Sequence, residues 1–263
     1  YLTFHMPKGF GERTYQRWIQ TEDLVGFHVT VEETRLLILA QEVRVDLAEQ
    51  VVIRYRNQLK DYIKHHPEFQ TSLRPLEIEE DAPPIIQEMA LAASHVGVGP
   101  FAAVAGTLAE YVGKELQQFS PDVLVENGGD IFVAGTHSRV LGIYAGKSSL
   151  SGKIALKIEA SQMPCGVCTS SGTVGHSLSF GKADAAIVIA KSTALADACA
   201  TAIGNMIATT SDIEKGLQFA EHTAYIDGAV IILGEDIGAW GQVQFVKTPT
   251  PSRGNYERPG HDE

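Results

Sequence analysis

Residues 123–134 read Val-Leu-Val-Glu-Asn-Gly-Gly-Asp-Ile-Phe-Val-Ala. Two short runs of β-branched and apolar residues flank Asn-Gly-Gly-Asp. That is a strong hairpin signal, because glycine reaches positive φ at no steric cost. The same turn admits a second use, since successive backbone N–H groups there can point into one concavity that suits a phosphate. Asn127, Gly128, Gly129 and Asp130 are therefore candidate ligand-binding residues, with a plain hairpin turn as the alternative.

Upstream, residues 13–41 alternate in hydropathy and predict two or three strands joined at Glu32-Glu33. In 45–64 the apolar residues Leu47, Val51, Val52, Tyr55, Leu59, Tyr62 and Ile63 fall at helical spacing, and Pro67 stops the helix. Pro83-Pro84 opens a second helix that ends near Gly97. A third follows Pro100, and its small residues let another backbone or a ligand come close. Downstream, strands are predicted at 140–145, 153–159 and 184–190, helices at 193–208 and 212–221, and a closing hairpin from 229–233 and 242–246. Strands and helices mix without a regular β-then-α alternation, so the fold class is α+β in one domain. Residues 1–11 read as an N-terminal extension, an appended remnant; 12–247 form the domain; 248–263 are a flexible tail rich in Pro, Gly and charge.

The chain has 263 residues, 44% hydrophobic and 20% charged, which is ordinary globular composition. No stretch approaches the roughly 18 uninterrupted apolar residues of a membrane span. Three cysteines make no disulfide framework, so a reducing compartment, the cytoplasm, is expected. A net charge of −11 argues against nucleic acid, whose binding needs a basic patch. The basic cluster Arg54, Arg56, Lys60, Lys64, His65 and His66 has the spacing of a helix's wet face. The expected partner is a small-molecule ligand, with no nucleic acid and no membrane.

Three further features carry chemistry. Thr169, Ser170, Ser171 and Gly172 lie in a segment, 164–181, rich in hydroxyls and glycines that offers hydrogen-bond donors on a bendable backbone. The same segment holds Cys165 and Cys168 in CxxC spacing, without the second pair a structural zinc would want, and its single histidine, His176, a candidate acid–base group. Next, the alanine-rich helix at 193–208, capped by Ser192 or Thr193, places Asp197 and Thr201 four apart on one face. A carboxylate beside a hydroxyl suits a hard cation such as Mg2+ that holds phosphates; the alternative is an Asp–Thr hydrogen bond within the helix.

In this order, Gly128-Gly129-Asp130, Thr169-Ser170-Ser171-Gly172 and Ala196-Asp197-Ala198-Cys199-Ala200-Thr201 resemble the ApbE family, flavin transferases that attach FMN from FAD to a protein threonine. The chain is more similar still to a branch of ApbE-like proteins that share its segments 99–106 and 175–184. The resemblance implies a T-fold-like α+β domain, Mg2+ held by Asp197 and Thr201, and FAD, as substrate or ligand, beside the Gly-Gly-Asp turn. Residues 169–172 would line the same cleft, and His176 would match the histidine of the family's His-Ile-x-Asp-Pro segment and share the catalytic role with Asp197. An acceptor protein is the implied partner. Two departures stand out: Ser177-Leu-Ser-Phe-Gly-Lys replaces the Asp-Pro-x-x-Gly after that histidine, and Lys-Gly-x-x-x-Asp ahead of Gly-Gly-Asp is replaced by Ala105-Gly106-Thr107. Three readings follow: an FMN transferase, a non-catalytic nucleotide- or metabolite-binding protein of the same fold, and a redox or sulfur-metabolism accessory protein centred on Cys165 and Cys168. The closing hairpin and the small-residue helix face are compatible with a homodimer.

Overall fold

The structure, a computed structural model, describes residues 23–172 and 181–248. The extension at 1–11, the tail from 249 onward and His176 lie outside these residues. Thr248, expected to open the tail, still donates its amide to the Lys153 carbonyl.

β1 (Val25–Val31) and β2 (Thr34–Ala40) form a hairpin, followed by α1 (Val45–His65), the single turn α2 (Glu68–Thr71) and α3 (Pro84–Val96). A 3-10 turn, Pro100–Ala103, leads into α4 (Val104–Leu116). Five strands come next: β3 (Val123–Asn127), β4 (Asp130–Ala134), β5 (Arg139–Gly142), β6 (Ile154–Ile158) and β7 (Cys165–Ser170). The chain then runs through β8 (Ala185–Ala190), α5 (Thr193–Met206), α6 (Ile213–His222), β9 (Ile226–Leu233), β10 (Asp236–Gly241) and β11 (Phe245–Lys247). Eight strands make one sheet in the order β1-β2-β3-β4-β7-β8-β9-β10, and β11-β6-β5 make a second. Neighbouring strands in both are antiparallel.

Side chains alternate across a strand, so a strand buried on both faces reads as an unbroken apolar run. β8, Ala-Ala-Ile-Val-Ile-Ala, is such a run. Ala185, Ile187 and Ile189 pack with Leu141, Leu156 and Ile158 of the small sheet, while Ala186, Val188 and Ala190 pack under the helices. α1 and α4 cover the β1–β4 end through Val52 and Val112 against Phe27, Ile38 and Phe132.

α5 lies at the centre, touching α3, α4, α6, β7 and β8. A helix surrounded on all sides needs small, apolar residues all round, and Ala194, Ala196, Ala198 and Ala200 are fully buried. Its neighbours come close enough to require glycine. A Cβ on Gly166 of β7 would stand 2.4 Å from the Thr193 Cα.

Two sequence expectations are corrected. The segment 164–181, expected to offer donors on a bendable backbone, begins as regular structure, because Cys165–Ser170 is a strand between β4 and β8. Its small residues answer to the close approach of α5, which makes them look like loop composition. Residues 242–246 do not close the last hairpin either: β9 pairs with β10 across Gly234 at φ 64°, and Phe245–Lys247 pairs with β6. The polar and glycine content of Asp236–Gly241 belongs to an exposed edge strand. Among the described residues no single helix is long and apolar enough to cross a membrane.

Gly166→Ala drives a methyl group into the α5 backbone, which has no free rotamer to yield. The expected outcome is a loss of about 1–3 kcal/mol in denaturant unfolding. Gly128→Ala meets no atom within 4 Å and pays only for its positive φ, about 1 kcal/mol.

Candidate active site

α4 and α5 meet at their first turns, and each lends the other a carboxylate. The backbone at the start of α4 receives no side-chain cap from Ala103, although its leading N–H groups need acceptors. Asp197, buried in α5, supplies one. Its Oδ2 accepts from the Gly106 amide at 2.8 Å, and the Ala105 backbone also donates to it. In the opposite sense Glu110, one turn along α4 and buried, accepts from the Thr193 amide at 2.6 Å. Ser192 completes that cap by accepting from the Leu195 amide at 3.2 Å, and Lys114 Nζ lies 2.6 Å from Glu110 Oε1.

Asp130 enters from the sheet. It is the first residue of β4, paired with Asn127 across a two-glycine turn with Gly128 at φ 69° and Gly129 at φ 112°. Alternation puts Asp130 on the helix side, together with Phe132. Burial and the neighbouring Asp197 hold its carboxyl well above the usual carboxylate range, against hydrogen bonds from the Cys168 thiol and the Thr169 backbone that favour the charge. Burial also pushes Asp197 up to about 7, despite the amides of Gly106 and Ala105. Two carboxylates out of water and close together do not both ionise unless a cation joins them. The donor set fits a hard cation: Asp130 Oδ1 is buried without a hydrogen-bond partner among the described residues, as is the Ser170 hydroxyl. Thr201, half-buried, stands one turn beyond Asp197.

The other sequence candidates divide. Asn127 joins the site by donating from Nδ2 to the Ala105 carbonyl at 3.1 Å, which ties the turn to α4. The Gly128-Gly129 segment is a hairpin turn, and the Gly129 amide is already donated to Glu126 Oε1 at 2.8 Å. That N–H is therefore not held out for a phosphate. Along β7, Cys168 faces α5 and Ser170 follows it, so Thr169 points to the other face and reaches Asp130 only through its backbone. Ser171 and Gly172 leave the strand; the Gly172 amide donates to the Ala183 carbonyl at 2.9 Å, and Gly172 crosses so near Gly181 that a Cβ would lie 2.0 Å from its carbonyl oxygen.

The geometry gives the cysteine-centred reading no support. Cys165 packs with the small sheet and Cys168 with the helices. Three strand residues span roughly 10 Å, beyond the ~7 Å Cα separation a disulfide can bridge. Burial pushes the Cys165 thiol up to about 12 and Cys168 well above its ordinary value, which leaves neither a reactive thiolate. A different group, Asp23, Asp122 and His137, brings its ligand atoms within 4.8 Å of one another. Its charge is already met by buried Arg139, which donates to Asp23 at 2.6 and 2.9 Å and to Asp122 at 2.6 Å. Burial pushes Asp122 up, yet His137, Thr136 and Arg139 outweigh it and hold that carboxyl low. It is a structural tie.

Glu110 is the site residue that sequence reasoning missed. The signal was present: of the Lys-Gly-x-x-x-Asp pattern, the glycine and an acid four positions on survive as Gly106 and Glu110, and the lysine position holds Ala105.

Comparison with known proteins agrees with this architecture. A family described as AbpE bacteria matches residues 16–238. A UPF0280 protein of Methanococcus aeolicus is 42% identical over 227 residues, covering 84% of this chain and 92% of the relative. A UPF0280 protein of Methanocaldococcus jannaschii is 38% identical over the same coverage. Among solved structures, the flavinyl transferase ApbE of Pseudomonas stutzeri, in its apo form, superposes with a TM-score of 0.54 at 13% identity, covering 82% of this chain and 93% of that one. The flavin transferase ApbE from Vibrio cholerae gives 0.55 at 12% identity, covering 82% and 96%. The chain belongs to the AbpE bacteria family, with UPF0280 proteins as relatives, and it has the ApbE fold.

The raised carboxyl of Asp197 sets a pH dependence whose sign is fixed. Its folded value, about 7, lies above the ordinary 3.8, so between these the folded chain holds a proton the unfolded chain has lost. Stability without added metal therefore falls as pH rises from about 4 to about 7, by a few kcal/mol. Thermal melts of the wild type from pH 5 to 8 should show this fall, and Asp197→Asn should flatten it and melt higher than wild type at pH 8.

Proposed function

We propose that this protein binds a flavin nucleotide, FAD in the first instance, through Mg2+ at Asp197 and Thr201, and transfers FMN to a hydroxyl of an acceptor protein. The observation that carries this reading is the buried Asp130–Asp197 pair, with Asp130 Oδ1 unpartnered among the described residues and Thr201 one turn beyond Asp197 on α5. When bound, Mg2+ supplies neutralisation of the pyrophosphate and polarisation of the phosphoryl group.

The chain's own residues have separate tasks. Asp197 is oriented by the Gly106 amide and does not need to reorganise on binding. Asn127 keeps the Gly-Gly turn against α4, so the two walls that meet at the site move together. Ser170 offers a hydroxyl to the polar atoms of a ligand, and Asp130 offers the cation a second carboxylate beside Asp197. In the transfer, the acceptor hydroxyl oxygen forms a bond to the FMN phosphorus as the bond to the AMP oxygen breaks. The hydroxyl proton passes to His176 or to a site carboxylate.

A second reading, ligand binding without transfer, is favoured by one feature: Ala105 stands where the family pattern has lysine, which removes a cation from the start of α4. The two readings part at product formation.

Calorimetry with FAD and FMN, each with and without Mg2+, tests the proposal. FAD binding should require Mg2+ and weaken roughly 100-fold, about 2.7 kcal/mol, in Asp197→Ala. AMP release in the presence of an acceptor protein then supports transfer, and a stable complex with no AMP release supports the binding-only reading. No flavin affinity under any of these conditions contradicts both.

A further inference from the structure

We propose that Glu110 is a positioning residue for the carboxylate pair, setting where Asp197 stands by fixing the position of α5 along α4; this rests on the reading of Asp197 as a cation ligand. Gly106 and Glu110 lie one turn apart on one face of α4, and Thr193 and Asp197 lie one turn apart on the facing side of α5. The bond from the Gly106 amide to Asp197, 2.8 Å, and the bond from the Thr193 amide to Glu110, 2.6 Å, cross the same seam in opposite senses.

The seam itself is smooth. A Cβ at position 106 would stand 2.6 Å from the Thr193 carbonyl oxygen and 2.8 Å from the Asp197 Cβ, so no side chain interdigitates there. Such a contact resists approach but not sliding. One residue of helix rise is about 1.5 Å, which is enough to break a hydrogen bond. Two bonds at different heights remove that freedom. Glu110 is 3% exposed, and its charge is met by Lys114, whose side chain is 55% exposed and reaches in from solvent. Without Glu110 the Thr193 amide has no acceptor at a buried helix start, where an unmet donor is costly. α5 then shifts to satisfy it, and Asp197 leaves Gly106.

The test compares the wild type with Glu110→Gln and Glu110→Ala in the full chain. Three quantities are read: Mg2+ affinity by calorimetry, hydrogen exchange at the Gly106 amide by NMR, and melting temperature. Glutamine keeps an oxygen for the Thr193 amide while Lys114 turns to water. Glu110→Gln should stay within about threefold of wild-type Mg2+ affinity, and Glu110→Ala should lose about 10- to 100-fold. Exchange at Gly106 should accelerate in Glu110→Ala by more than the β8 amides, which report global opening. If the alanine variant fails to fold, Glu110→Asp, whose carboxylate is one methylene short, takes its place with the same expectation.

The proposal is overturned if the alanine variant melts lower yet keeps Mg2+ affinity and Gly106 protection relative to β8. It is also overturned if glutamine is as damaging as alanine, because charge rather than the shared hydrogen bond would then be at work. A wild type indifferent to Mg2+ removes the functional reading instead, and exchange at Gly106 alone then decides the positioning role.

Discussion

The hydrogen bond between the Gly106 amide and the Asp197 carboxylate joins the two parts of the molecule that matter most. It caps α4, which has no local side chain to do so, and it holds a carboxylate in the middle of the most buried helix of the fold. Much of the surrounding sequence follows from that contact. Gly106 has no Cβ because Thr193 and Asp197 fill the space. The alanines of α5 let α3, α4, α6 and the sheet close around it. Gly166 and Cys168 keep β7 small where α5 lies on it. The capping is reciprocal, so neither helix can shift without exposing a donor on the other.

This arrangement is expensive for a protein that only needs to fold. Asp130 and Asp197 are both buried, which disfavours the ionised form of each, and the neighbouring Asp197 raises Asp130 further. A core built for stability would fill the space with apolar residues of similar volume, which is often neutral or better than a buried charged group. Contrast the far end of the sheet, where Asp122 is equally buried yet met by Arg139, Thr136 and His137. One cluster is neutralised by the chain itself. Among the described residues the other is left short of positive charge, with an unpartnered carboxylate oxygen on Asp130 and an unpartnered hydroxyl on Ser170. The difference between the two is the physical reason to read the second as a place for a cation and its anionic ligand.

Much of this was legible in the sequence, and what was not has a common cause. Long periodic segments declared themselves: the apolar spacing of 45–64 is α1, Pro84 opens α3, and the Asn-Gly-Gly-Asp turn joins β3 to β4. Asp197 stood out in the sequence as the acid of an alanine-rich helix, one turn from Thr201. β7 was hidden because its residues are chosen for closeness to α5 and so look like a loop, and the edge strand β10 was hidden because it is barely buried. The partnership of Asp130 with Asp197, and the role of Glu110, depend on contacts between residues 67 or more positions apart. No local pattern encodes such distances. The CxxC spacing misled for the opposite reason: a spacing that pairs thiols in a turn separates them in a strand.

Ligand binding at this site depends on a cation replacing protons at the Asp130–Asp197 pair. The direct measurement is the number of protons released on Mg2+ binding, from calorimetry at pH 6.5 in buffers of different ionisation enthalpy. Because both carboxyls are held above their ordinary values, Mg2+ should release close to one proton or more per ion, and Asp197→Asn should abolish most of that release. Mg2+ binding with no proton release, or release unchanged by the substitution, would place the cation elsewhere and contradict the account.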